Sequence, residues 1–487
     1  MIEKYYNGVI EQVAGGIGNV EHNSILVRYS NDFSIWDLES VNHYKDQTDI
    51  FFTCHEFSYN KIAEAYEPYL GLIRQMFHKY CSGTLEEFME ECDVYKLQRP
   101  VFESYFEKGF CERTEQILID EVEYEQERMR NSIVTMLQKL SEIRPVVIVL
   151  NRFQLASKST MQLSNSLLQV KNKNIGIVLG VNDVQSIPEF AHEEWDAICE
   201  SMDDRNMVYH IGNAGRNMEP DVMDYYSDYE SDDGYRKLNN LVYFLDFDQA
   251  DHHLSKIERR IKFDNFTISE KKHYQLLLLQ IMVSVLQRDI AKALESCEDL
   301  EKLQDQEKEG AFYYNFWMAT SYMYLGKLEE AMIYVQKAKE CGEALGDDFL
   351  VFRAELLKAQ NQMSGWCNIF FCAQDIEISD KLIEKLNAYH YKNHLAHIYI
   401  YAYDNKPEIV AKAYRSEAFL IYFSKGVALA KEIGNEQLIS IAYRKNIMIA
   451  STNGEYEVSL LYSIRTYEAM KDVDSVEGGR IYSYDPK

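Results

Sequence analysis

Proline is scarce, and most of it lies in one half of the chain. Five of the seven prolines fall between Pro68 and Pro220, and only Pro407 and Pro486 follow. Proline breaks a helix interior, so the proline-free stretch from 221 to 406 can form long uninterrupted helices. Basic charge is also short. Against 78 acids stand 51 bases, a formal net charge of −27. That field repels phosphate backbones and anionic headgroups, and no basic run offers a local exception. Direct nucleic-acid binding is thereby excluded, and a neutral or basic protein partner is favoured. Long apolar runs are missing too: the longest, QLLLLQIMVSVL (275–286), carries Gln inside it. A membrane-spanning helix needs roughly 20 apolar residues, so no membrane span is expected. No N-terminal stretch has the form of a signal peptide. The nine cysteines are odd in number, scattered and without a CxxC pair. They read as reduced, mostly buried thiols, which points to a cytoplasmic location.

What is present is the balance of a soluble globular protein: 46% hydrophobic and 26% charged residues over 487 positions. That length predicts two or three domains. The 36 tyrosines and 23 phenylalanines supply ample packing knobs. The composition shifts near residue 235, and the chain divides into residues 1–245 and 246–487.

Before that boundary, short apolar runs alternate with longer amphipathic segments. SILVRY (24–29), DIFFTC (49–54), VVIVL (146–150) and IGIVLG (175–180) suit strands buried on both faces of a parallel sheet. MVYHI (207–211) and LVYFL (241–245) read as later strands, and Glu112 to Arg144 as one long helix. Thr84 and Glu87 form a capping box for another helix. The alternation predicts an α/β layered domain. EPDVMDYYSDYESDDG (219–234), with seven acids in sixteen residues, reads as a solvated loop; it lacks the ligand alternation of a calcium loop.

From about residue 251 the pattern is helical. FWMATSYMYLGKLEEAMIYVQKAKE (316–340) matches a tetratricopeptide (TPR) repeat: Ala319, Tyr322, Gly326, Ala331 and Ala338 fall at its characteristic intervals. Small residues sit where the two helices approach closely, and Gly326 ends the first. A unit around Ala293 lacks the turn glycine; another keeps Gly454 and Tyr456 but has Ser459 in the alanine position. Stacked repeats of this kind predict a solenoid. The chain ends at SVEGGRIYSYDPK without an obvious polar cap, as if within the array, so a further output domain is expected beyond it.

Two segments of the N-terminal half resemble the ATPase module of STAND-type bacterial signalling and transcription regulators. They are RPVVIVLNRFQLASKST (144–160) and YNKIAEAYEPYLGLIRQMF (59–77), with LVYFLDFDQADHHLSKI (241–257) similar to the family's exit from that module. The resemblance implies an α/β parallel-sheet P-loop-like domain followed by an all-α TPR-like solenoid. It also implies a phosphate-binding loop after the first strand and a pair of acids ending the strand 146–150.

Neither chemical element is intact. A phosphate loop needs glycines for close backbone approach, Lys for the phosphate charge and Ser/Thr for magnesium. Here no glycine lies between Glu21 and Leu70, and no lysine between Lys4 and Lys45. The loop position holds Ser30, Asn31, Asp32 and Phe33, with Ser34 and Ile35 where Lys and Ser/Thr would fall. Asn151 and Arg152 stand where the resemblance places the acids. Asn cannot act as a general base, and Arg cannot ligate a cation. Ser30, Asn31, Asp32, Ser34, Asn151 and Arg152 therefore mark a degenerate nucleotide site, with no catalytic residue, metal or cofactor expected.

Other constellations have plainer readings. AGGIGN (14–19) has no following Lys and precedes the first strand, so it reads as a turn after an N-terminal helix. Cys54 and His55 lack an orienting acid and read as a buried thiol with its neighbour. His252 and His253 point to different sides of a helix; Cys367 and Cys372 read as core thiols; Asn182 reads as a turn residue. The expected protein is a non-catalytic signalling component: a pseudo-ATPase switch joined to repeats that take a protein or peptide on their concave face. Two alternatives remain: a nucleotide-binding ATPase regulator with an atypical site, or the N-terminal region of a diguanylate cyclase or transcription regulator.

Overall fold

The computed structural model describes residues 2–470 except 21, 31–33, 46–48, 60, 114, 183–188, 204, 206, 212–228, 230, 265, 365–379, 402–416 and 453. The chain forms two compact units. The first comprises residues 1–94, 101–112 and 126–266; the second comprises 95–100, 113–125 and 267–487.

The first unit is built on a five-stranded sheet in the order β2-β3-β4-β1-β5. Its strands are β1 (His22–Tyr29), β2 (Phe51–Glu56), β3 (Val146–Asn151), β4 (Asn172–Asn182) and β5 (Val208–Ile211). All four pairings are parallel. Continuous β-branched runs suit such strands because both faces are covered; β3 is buried along its whole length. The helix Ile2–Gly16 covers one face, with Tyr6, Val9, Ile10 and Val13 packed on Ile25, Val27, Val149 and Val178. The two glycines of β4 permit this close approach. A Cβ at Gly176 would lie 2.6 Å from Val13 Cγ1, and one at Gly180 would run into Tyr6 Oη. Thr84 and Glu87 form the capping box expected of them, opening the helix Leu85–Glu91.

Among the described residues the second unit is built of helices without a strand. The expected repeat is the pair Gly310–Tyr324 and Leu328–Leu345, in which Ala319, Ala331 and Ala338 are fully buried between helices. Gly326 takes φ +71° in the turn, a left-handed conformation that costs a side-chain-bearing residue about 1–2 kcal/mol. The preceding pair, Glu270–Leu286 and Ile290–Leu303, makes the same turn with Arg288 at φ +65°. The turn geometry thus persists where the glycine is lost, and Asp289 caps the next helix by accepting from Lys292 N. Further helices follow at Asp348–Ser364, Asp380–Ala388, Lys392–Tyr401, Glu417–Ile433, Glu436–Thr452 and Tyr456–Met470. An α/β parallel-sheet domain followed by an all-α TPR-like array is the fold of this chain.

Three expectations are corrected. LVYFL is no strand: residues 241–243 end the helix Asp232–Tyr243, and Leu245 occupies a left-handed turn at φ +68°. A short apolar run has the same signature in a buried helix as in a buried strand. The main crossing between units falls at 266/267, not 245/246. The helix Phe247–Phe263 joins the first unit because Asp246 Oδ2 accepts from Ser159 N at 2.8 Å, Gln249 Nε2 donates to Ala63 O at 3.2 Å, and Lys158 pairs with Asp248. Finally, the helix expected over 112–144 covers only Val122–Ile143, and residues 113–125 belong to the second unit.

Candidate functional site

In a parallel sheet the strands finish along one edge, where ligands bind α/β proteins. Tyr29, Glu56, Asn151 and Asn182 end β1 to β4, and the register pairs Tyr29 with Asn182 and Glu56 with Asn151. Tyr29 Oη donates to Asn151 Oδ1 at 2.7 Å. Asn151 Nδ2 reaches Glu56 Oε1 at 3.5 Å, and Arg152 Nη1 pairs with the same oxygen at 3.2 Å. Ser34 Oγ donates to Glu56 Oε2 at 3.1 Å. Arg152 stands at φ +53°, its guanidinium 4.9 Å above the Tyr59 ring. The Tyr6 hydroxyl closes the cluster from the helix below; burial, then the neighbouring Tyr29 and Glu56, push its pKa well above the usual tyrosine range and keep it neutral.

Three of the residues expected at a degenerate nucleotide site, Ser34, Asn151 and Arg152, therefore converge on one carboxylate. Ser30 follows Tyr29 and takes no part in these bonds, while Asn31 and Asp32 lie outside the described residues. Glu56 is the member that sequence reasoning missed. Its signal was only a carboxylate ending a strand whose sheet neighbour ends in Asn-Arg. Only 8% of its side chain is exposed, and both its oxygens are engaged by donors. Among the described residues, Arg152 is the cation paired with this buried anion. Among the described residues no group of three or more His, Cys, Asp or Glu could hold a metal ion.

The second unit holds its own buried polar cluster, which no local pattern announced. Glu121 accepts from Asn393 Nδ2 at 2.6 Å on Oε2, and from Asn435 Nδ2 at 2.9 Å on Oε1. Its Oε1 also lies 2.9 Å from His397 Nε2. Burial alone would raise the Glu121 pKa, but His397 and the two amides outweigh it and hold it below the usual carboxylate range. Glu115 Oε1 accepts from the backbone N of His394 at 2.7 Å and lies 2.6 Å from its Nδ1. Arg113 makes a bidentate pair with Glu125.

Of the remaining candidates, His55 has an acid that the sequence did not disclose, its Nε2 lying 3.6 Å from Glu67 Oε1. Cys54 and His55 are successive residues of β2 and so face opposite sides. Burial pushes the Cys54 thiol up to about 11 and His55 down to about 4. His253 is buried with Nδ1 3.1 Å from Tyr229 Oη, whereas His252 packs on the Phe190 ring. Asn182 N donates to Gln154 Oε1 at 3.3 Å. Cys367 and Cys372 lie outside the described residues, as does the acidic stretch up to 228.

No family model matches the sequence. No curated protein matches it either. Among solved structures the chain is similar to a Signal Transduction ATPase with Numerous Domains (STAND) protein with a tetratricopeptide repeat sensor from Pyrococcus horikoshii. Identity is 12% and the TM-score 0.40, over 92% of this chain and 81% of that one. The fold assignment rests on the strand order and the helix pairs described above. No helix among the described residues is long and apolar enough to cross a membrane.

Proposed function

We propose that this protein is a non-catalytic regulatory component, a pseudo-ATPase domain joined to a TPR-like array that binds a protein or peptide. The observation that carries the reading is Glu56, an anion buried at the strand ends and bound by Arg152, Asn151 and Ser34. Phosphoryl transfer depends on positive charge and metal at that position to offset the phosphate oxygens; here the charge is reversed and the cation is spent on it. The array supplies the interaction function, with its concave face as the docking surface and a cytoplasmic signalling pathway as its setting. Phosphate release from magnesium ATP tests the catalytic part. The full chain is expected to release none above the protein-free control. Magnesium-dependent release that Glu56→Gln abolishes would overturn the reading, since Glu56 would then be a working base or ligand.

A further inference from the structure

At the far end of β2 from Glu56, about 17 Å away by the rise of a strand, lies a cavity of different character. It has a volume of about 670 Å³ and is lined by Phe51, Phe52, Gln75, Tyr80 and Tyr105 together with Lys45, Arg74, His78 and Lys79. No acid lines it. Acids outnumber bases 78 to 51 in this chain, yet Lys45, Arg74 and Lys79 have no carboxylate partner among the described residues. Their contacts are with rings and one carbonyl. Lys79 Nζ stands 5.8 Å from the Phe51 ring centroid and 5.3 Å from that of Tyr80; Lys45 lies 6.0 Å from Trp36; Arg74 donates to Glu107 O at 3.4 Å.

The geometry points to a binding site for a nucleoside phosphate in this cavity. Its volume falls in the range of small-molecule sites. Two lysines and an arginine fit the charge of a diphosphate, with Arg able to bind it through two parallel hydrogen bonds. Tyr105 offers ring surface to a flat base, and the Gln75 amide can both donate to and accept from a base edge. A cover for the exposed edge of β2 would need the lysines but not the rings and the Gln75 amide beside them. This site is separate from the strand-end cluster, so it can act as a sensor whether or not that cluster is inert.

Calorimetric titration of the full chain with ADP, adenosine and pyrophosphate, all without magnesium, tests it. ADP is expected to bind, with adenosine and pyrophosphate each weaker by at least about tenfold because each fills half the site. Arg74→Ala with Lys79→Ala is expected to weaken ADP by at least about tenfold, with an unchanged melting temperature. Lys45→Ala with Lys79→Ala, both exposed, repeats the test without touching the Glu107 contact. Silence with ADP overturns the proposal, as does pyrophosphate binding equal to ADP, which would mark a site for inorganic anions. Affinity that survives these changes but falls in Arg152→Ala places the nucleotide at the strand ends and also overturns it.

Discussion

Exchange of Glu121 for Gln alters one atom of a side chain that is 1% exposed, and the geometry makes it a severe change. Oε1 faces His397 and Asn435, so the oxygen of Gln must stay there. Its amide nitrogen then confronts the Nδ2 of Asn393, a donor 2.6 Å from the present Oε2. Asn393 cannot turn its oxygen to meet it, because that oxygen already accepts from Asn435 Nδ2 at 2.9 Å. One charge-assisted bond is lost, two are weakened to neutral strength, and two donors oppose each other. The expected cost is about 3 kcal/mol, a large share of the roughly 5–15 kcal/mol that stabilises a domain. Native-state hydrogen exchange in the helices Lys392–Tyr401 and Glu436–Thr452 reads it locally. Their slowest amides should exchange about 100-fold faster in the variant. Because the folded pKa is depressed, wild-type Glu121 stabilises the fold above the unfolded carboxylate pKa, and this is lost as pH falls through the folded value. The variant should show no such acid-side loss. Exchange within about threefold of wild type would refute the reasoning and mean that the cluster carries no energy.

The repeat turns make a reciprocal test. Gly326→Ala should destabilise by about 1 kcal/mol, and Arg288→Gly, at an exposed left-handed position, should stabilise by a similar amount in urea titrations; equal signs would refute the shared-turn argument. Asp246 is fully buried, and burial outweighs its bonds from Ser159 to raise its pKa to about 6. A raised carboxylate pKa favours folding below the unfolded value, and this contribution disappears as pH climbs through about 6. Asp246→Asn should therefore abolish a loss of up to about 3 kcal/mol between pH 4 and pH 8, read from pH-dependent melting.

How far the sequence disclosed this architecture depended on the range of the interaction. The strands around Leu26, Val149 and Val178 were legible because burial on both faces demands continuous β-branched runs. The pair around Gly326 was legible because close helix packing fixes Ala319, Ala331 and Ala338 at set intervals. Asn151 and Arg152 were legible as departures from a resemblance, but their common partner Glu56 was not, since it comes from a strand ninety-five positions away. The reach of Glu121 to Asn393 spans 272 positions and leaves no local trace. The boundary was drawn early because it followed the composition shift near residue 235, and the proline-free stretch after it already includes Phe247–Phe263. Only its bonds to Ser159 and Ala63 assign it to the first unit.

The passage of residues 95–100 and 113–125 into the second unit also sets an order of events at the ribosome. Tyr124 leaves the tunnel 312 residues before Glu436, its hydrogen-bond partner. At roughly 5–20 residues per second that is a delay of about 15–60 s; over most of it Glu115 and Glu121 also lack their partners His394, Asn393, His397 and Asn435. The first unit can close its sheet in that interval, but the second cannot complete its interior until Glu436 has emerged. A fragment beginning at residue 246 or 267 would lack these carboxylates altogether and take from Asn393 Nδ2 and the backbone N of His394 the acceptors they have here. The repeats are thus not a cassette that can be cut away at residue 246 or 267, because part of their own interior is encoded before residue 126.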